Sequence, residues 1–173
     1  FLQGVKRSLM PNGTAYIQTS QSQMYQRNEF DTTYHEHISF FSANSMKTLA
    51  ERAGLVLTDI VITPIHGDSY VFILKHPGAE VMDSVQETID KEDKEGRHNI
   101  NFYNLFGNNA RKIVEQLKDL VSRCQKENIP VVGYGAAAKG MTVLNANNIQ
   151  LDWIVDDNEL KQGLLTPGTN IPI

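Results

Sequence analysis

Val131-Val132-Gly133-Tyr134-Gly135 is an apolar strand pattern that runs directly into a glycine turn, and a second apolar run, Leu151 to Val155, follows it. A helical stretch from Ala137 to about Asn145 separates the two. Strands joined through a helix pair in parallel, since a parallel pair needs a long crossover, and such crossovers are right-handed. The segment therefore predicts a Rossmann-like βαβ unit. Two strands cannot bury both faces of a sheet, so more chain is expected beyond Ile173.

Upstream, the pattern alternates between helix and strand. Phe1, Leu2, Val5 and Leu9 share one helical face, and Met10-Pro11-Asn12-Gly13 ends that helix. Thr14 to Thr19 reads as a strand, and Ser20 to Glu29 as a polar loop without periodicity. Ser42 is placed to cap a helix from Ala43 to Arg52, with Met46, Leu49, Ala50 and Ala53 inward and Gly54 as a left-handed C-terminal cap. Leu55 to Thr63 and Ser69 to Lys75 are β-rich runs around Pro64-Ile65-His66-Gly67-Asp68, a hairpin composition. Pro77-Gly78 marks a boundary. A charged helix is expected over 79–94, and its run Asp90 to Glu95 reads as a solvated helix end. A longer helix fits 101–127, with Phe102, Phe106, Ala110, Ile113, Val114, Leu117, Leu120, Val121 and Cys124 as a core stripe.

Composition narrows the function classes. The chain has 173 residues, 40% of them hydrophobic, enough for one good core or two small ones. A net charge of −4 and a pI near 5.7 argue against nonspecific binding to nucleic acid or to an anionic membrane. A single cysteine, Cys124, excludes an internal disulfide and a cysteine-based zinc site within these residues, and suits a reducing cytoplasm. No apolar run reaches membrane-spanning length. The start lacks methionine and reads as the middle of a helix, and the end is equally abrupt, so the chain reads as a fragment cut at both ends.

Two stretches carry the polar chemistry. Gly133-Tyr134-Gly135-Ala136-Ala137-Ala138-Lys139-Gly140 lies between strand and helix, where backbone N–H groups and the helix terminus suit an anion and Lys139 adds a full charge. Asp156 ends the next strand, near where a Rossmann acid meets a ribose hydroxyl. Ala138 occupies the third glycine position of the dinucleotide fingerprint, and the loop is not a Walker A loop, so a ligand-free turn stands beside the phosphate reading. Tyr34-His35-Glu36-His37 is denser. Extended, it would put Tyr34 and Glu36 on one face and His35 and His37 on the other. A metal pair, an acid–base group and a polar strand end all remain open, although zinc wants three or four ligands and His66, His76 and His98 show no matching spacing. His66-Gly67-Asp68-Ser69 has the inventory of a Ser–His–Asp triad but is too contiguous for one and reads as a hairpin loop.

Phe30-Asp31-Thr32-Thr33-Tyr34-His35-Glu36-His37 with Phe40-Phe41-Ser42, then Pro64-Ile65-His66-Gly67, then the 133–140 turn, then Ile154 to Asn158 and on to Pro167-Gly168-Thr169, together resemble the sugar C-methyltransferases that act on nucleotide-linked keto-sugars. The helix and strand order upstream also matches how many class I methyltransferase domains finish. The resemblance implies an α/β chain in two parts. Residues 1–77 would end a methyltransferase domain, and 78–173 would form a helical connector and the start of a C-terminal Rossmann-like domain. It also implies S-adenosylmethionine as methyl donor, with that site and a zinc-binding domain lying N-terminal to this chain, and a nucleotide-linked (dTDP) deoxysugar as substrate. Methylation beside a keto group needs a base and a stabilised enolate. Carried over by position, His37 is the base, Glu36 orients or tunes it, and Tyr34 donates to the keto or enolate oxygen or relays a proton. Gly133, Gly135, Lys139 and His66 are the substrate-binding candidates. Asp68 departs from the family pattern, which has a second glycine there. The alternatives from the βαβ unit alone are a nicotinamide-dependent oxidoreductase and a non-enzymatic nucleotide-binding module.

Overall fold

A computed structural model describes residues 1–19, 23–65 and 68–173. The chain forms two compact units: Phe1–Arg27 with Ser39–Leu105, and Asn28–Ile38 with Phe106–Ile173. It is of mixed α/β class with two open sheets.

In the first unit, β1 (Ala15–Thr19), β2 (Val56–Thr63) and β3 (Ser69–Lys75) form an antiparallel sheet in the order β1-β3-β2. The middle strand shows why it is central. Tyr70, Phe72 and Leu74 alternate and are buried, giving one unbroken apolar face. In β2 the buried residues Leu57 and Ile60 are three apart, which a regular strand cannot place on one face. A register shift between Leu57 and Asp59 resolves this, and the Thr58 hydroxyl at the bulge donates to the Ile73 carbonyl at 3.0 Å. Helices α1 (Leu2–Ser8), α3 (Ala43–Ala53) and α4 (Asp83–Lys94) belong to the same unit, and Leu2, Val5, Met46, Ala50, Val85 and Ile89 from them join its core. The expected caps of α3 are present. Ser42 Oγ accepts the Ser45 N–H at 3.1 Å, and Gly54 is left-handed with φ 73°.

Three local expectations change. The stretch read as a featureless polar loop contains a short helix, α2 (Met24–Arg27), whose Met24 is 1% exposed. Leu49 lies on the margin of the core rather than within it. The run read as a solvated helix end holds a buried carboxylate. Glu92 is 2% exposed because it continues the inward face of Val85 and Ile89 at helical spacing. Its carboxylate accepts from Arg97 Nη1 at 3.1 Å, from the Tyr70 hydroxyl at 3.0 Å and from the Ala43 N–H at 2.8 Å. Burial pushes the Glu92 carboxyl up, opposed by Arg97 and these donors. The Tyr70 hydroxyl is raised as well, first by burial and then by the adjacent carboxylate. Asp68, the departure from the glycine pattern, sits at φ 73° and binds Arg27 at 2.6 Å.

The second unit holds α5 (Ile100–Lys126) from Phe106 onward, β4 (Val132–Tyr134), α6 (Ala138–Ala146) and β5 (Trp153–Val155). Strands β4 and β5 pair in parallel in the register Val132–Trp153, Gly133–Ile154 and Tyr134–Val155, as the crossover pattern requires. Val114, Val121, Leu144, Ile149, Ile154 and Ile171 form the core. From the expected stripe of α5, Val114 and Val121 are buried, whereas Ile113 and Leu120 lie toward solvent. The helix is therefore covered along a narrower face than its apolar content suggests.

Removing Glu92 leaves the buried Arg97 with Glu95 and takes the acceptor from the Tyr70 hydroxyl and the Ala43 N–H. Glu92→Ala is expected to cost about 3–5 kcal/mol in urea unfolding. A loss under about 1 kcal/mol would mean that Arg97 is not held by this pair.

Candidate active site

The Tyr34–His37 stretch lies on a loop, residues 28–38, that belongs to the second unit. Asn28 turns the chain with φ 54°, and Phe30–Thr32 forms one 3₁₀ turn. Phe30 packs against the core of that unit, which anchors the loop. The Thr33 N–H and hydroxyl both donate to the Phe30 carbonyl, at 3.0 and 2.5 Å. A tight turn then closes from Tyr34 to His37, whose N–H donates to the Tyr34 carbonyl at 2.9 Å. The segment is not extended, and the expected division of faces is overturned. The turn brings Tyr34 and His37 together, with ring centroids 4.3 Å apart at a 35° tilt.

Hydrogen bonding fixes the imidazole. His37 Nδ1 lies 2.9 Å from the Thr32 carbonyl oxygen, and His37 Nε2 lies 3.3 Å from the Tyr34 hydroxyl. A carbonyl oxygen only accepts, so Nδ1 carries the proton. In the neutral ring Nε2 is then the basic nitrogen, facing the phenol. The same carbonyl accepts the Tyr34 N–H at 3.1 Å, so one oxygen holds both partners. Glu36 is placed elsewhere. Its carboxylate is 3.9 Å from His35 Nε2, and both side chains are largely exposed. The Thr32 carbonyl, not Glu36, is the group seen on Nδ1. Sequence reasoning had no signal for it, because any residue supplies a carbonyl.

Tyr34 and His35 line an open cleft of about 720 Å³, with Met141, Thr142 and Asn145 of α6 and the Pro167-Gly168 turn among the other walls. Asn145 fixes that turn: its amide donates to the Pro167 carbonyl at 3.0 Å and to the Met141 carbonyl at 2.8 Å. Gly168 has φ 83°, and a Cβ there would lie 1.9 Å from Asn145 Oδ1. Only glycine fits.

The glycine turn is engaged internally. Gly133 lies inside β4, where a Cβ would meet Ile154 and Leu151 at 3.0 and 3.1 Å, so close packing alone explains it. Gly135 has φ 88°, and its N–H donates to the Val155 carbonyl at 2.7 Å. The Ala136 N–H donates to Asp156 Oδ2 at 2.7 Å, and Lys161 Nζ bridges Asp156 Oδ2 and the Ala136 carbonyl, both at 2.9 Å. Asp156 Oδ1 accepts the Asn158 N–H at 2.9 Å. The Asp156 carboxylate is thus a staple for the turn rather than a free ribose acceptor. These bonds, the Asn158 N–H first and then Lys161 and the Ala136 N–H, hold its carboxyl below the usual range. The donors left for a ligand are at the start of α6, where Ala138, Lys139 and Gly140 have no intrahelical acceptor and no side chain caps the helix. His66 and Gly67 lie outside the described residues. Among the described residues, no three His, Cys, Asp or Glu side chains come together as metal ligands, and no helix is long and apolar enough to cross a membrane.

The site is thus a loop with a tautomer-fixed histidine, set in an α/β unit beside an open, largely apolar cleft. The chain belongs to the C-methyltransferase C-terminal domain family, whose model matches residues 64–173. It is also similar to the C-methyltransferase NovU of Streptomyces niveus, 33% identical over 178 residues that take in 99% of this chain. The chain spans 42% of that relative's length.

Because the folded Asp156 carboxyl titrates below its unfolded value of about 4, the stability it lends is present above pH 4 and lost as pH falls through the lower folded value. Asp156→Asn is expected to weaken the second unit at pH 7. That difference from the parent should shrink below about pH 4 in urea unfolding. A difference independent of pH would remove the charge from this role.

Proposed function

We propose that this chain is part of an S-adenosylmethionine-dependent methyltransferase that methylates a carbon beside the keto group of a nucleotide-linked deoxysugar, with dTDP as the expected nucleotide. In sequence terms, residues 1–77 end a class I methyltransferase domain, and 78–173 are the connector and the start of a Rossmann-like domain. The compact units interleave that division through residues 28–38 and 78–105. The family match and the likeness to NovU support methyl transfer to carbon. The observation that carries the mechanism is the Thr32–His37–Tyr34 chain of contacts.

In this reading His37 Nε2 takes the proton from the carbon beside the keto group. The C–H electron pair moves into the C–C bond, and the carbonyl oxygen becomes an enolate that the Tyr34 hydroxyl stabilises by donating to it. Proton transfer leaves an imidazolium, whose Nδ1–H strengthens its bond to the Thr32 carbonyl. Tyr34, which touches both His37 and the cleft, orients the keto oxygen. Glu36, exposed beside His35, contributes negative charge near the base. S-adenosylmethionine supplies the electrophilic methyl group, and its seat is assigned to no residue of this chain. The substrate's diphosphate is placed at the start of α6, on the Ala138, Lys139 and Gly140 N–H groups and the Lys139 ammonium. Gly133 and Gly135 contribute there by shaping the turn, and His66 retains its proposed place in the substrate loop. The nicotinamide alternative has less support, because the acid it needs on a ribose is committed to Ala136, Asn158 and Lys161.

In the full polypeptide, exchange of the substrate's α-hydrogen with solvent deuterium isolates the proton-transfer step. His37→Asn is expected to slow both exchange and methylation by at least about 10²-fold while dTDP binding is retained. Tyr34→Phe should slow them less, by about tenfold, since it removes one donor. Unchanged turnover in His37→Asn, or tight NAD binding with no dTDP binding, overturns the reading.

A further inference from the structure

The cleft beside Tyr34 is walled by residues of the second unit alone, and those that α6 gives it fall on one helical face. Met141, Thr142 and Asn145 stand three, four and seven residues beyond Ala138, so they form a stripe running from the start of the helix along the cleft. By the helical rise, Thr142 lies about 6 Å and Asn145 about 10 Å along the axis from Ala138.

Besides Tyr34 and His35, three polar side chains line this cleft: Thr33, Thr142 and Asn145. Each commits its hydrogens to backbone carbonyls. Thr33 Oγ1 donates to the Phe30 carbonyl at 2.5 Å, and Thr142 Oγ1 donates to the Ala138 carbonyl at 3.2 Å. The Asn145 amide donates to the Met141 and Pro167 carbonyls. A carbonyl oxygen only accepts, so the direction of all four bonds is set, and the three side chains still offer oxygen lone pairs. They present acceptors to the cleft and no donors. Among the described residues no Asp or Glu lines it, so the donor that fits this surface is a neutral one.

We infer that the cleft selects a sugar carrying a free ring hydroxyl and that Thr142 Oγ1 is the acceptor that reads it; this rests on the proposed seats of the diphosphate at the start of α6 and of the keto oxygen at Tyr34. Those two groups need donors, which the first N–H groups of α6 and the Tyr34 hydroxyl supply. A ring hydroxyl instead has a proton to give, and the acceptors take it. Thr142 stands about one turn beyond Ala138, where the ring follows its diphosphate. Asn145 Oδ1 is less accessible, because it lies against Gly168, where a Cβ would come within 1.9 Å. An ether in place of the hydroxyl sets lone pair against lone pair, and a hydrogen leaves the acceptor without a partner.

The test uses the full polypeptide with dTDP-linked keto-deoxysugars that differ in one ring hydroxyl, which is free, O-methylated or replaced by hydrogen, each ring position in turn. At one position, either replacement is expected to raise KM by about tenfold, with kcat changed far less. Thr142→Val keeps the side chain's shape and should erase that preference, its KM for the hydroxyl-bearing sugar rising to that of the deoxy analogue. Thr142→Ser, which keeps the oxygen, should restore it. Equal KM values for the parent at every ring position overturn the inference, and so does a preference that Thr142→Val leaves unchanged. Exchange of the substrate's α-hydrogen separates the two ideas. A parent that neither binds dTDP nor exchanges that hydrogen loses the proposed function itself, whereas exchange that is equally efficient on hydroxyl and deoxy sugars overturns the hydroxyl reading alone.

Discussion

The Thr32 carbonyl oxygen accepts twice, from the Tyr34 N–H and from His37 Nδ1, and the chemistry of the loop follows from that double acceptance. The first bond starts the turn that stacks Tyr34 on His37, and the second decides which imidazole nitrogen is basic. Neither bond is made to a charged group. The carbonyl is itself held by a 3₁₀ turn seated through Phe30 on the core of the second unit. The threonine that provides it is 1% exposed, and its hydroxyl has no partner among the described residues. The backbone of this residue, rather than its side chain, is what the site uses.

Much of the architecture was readable from the sequence, because elements with a strong period and clear punctuation leave few alternatives. The parallel pairing of β4 and β5 followed from a strand–turn–helix–strand order, and the caps of α3 followed from Ser42 and Gly54. The errors have physical reasons too. No glycine or proline marks the turn at Tyr34-His35-Glu36-His37, and it is held by backbone bonds that composition does not encode. Glu92 was hidden by its neighbours. Five charged residues around it gave the impression of a solvated surface, although its spacing from Val85 and Ile89 already placed it inward. The residues of the candidate pair were legible, but the contact joining them was not.

The glycine turn illustrates how a ligand-like pattern can be satisfied from within. Asp156 and Lys161 occupy the Ala136 N–H and carbonyl, and Gly133 is required by Leu151 and Ile154 whether or not anything binds. What remains for a ligand is the uncapped start of α6 and Lys139. These internal bonds hold the turn in its shape without any ligand.

The close approach of Gly168 to Asn145 limits how this cleft can diversify. A side chain at 168 would displace the amide that ties the Pro167 carbonyl to α6, so that wall is fixed in shape. Among the other residues that line the cleft, His35 is largely exposed and its side chain holds no part of this wall. Shape at this wall is thereby tied to the packing of α6, so a change at 168 is felt by the helix as well as by the cleft.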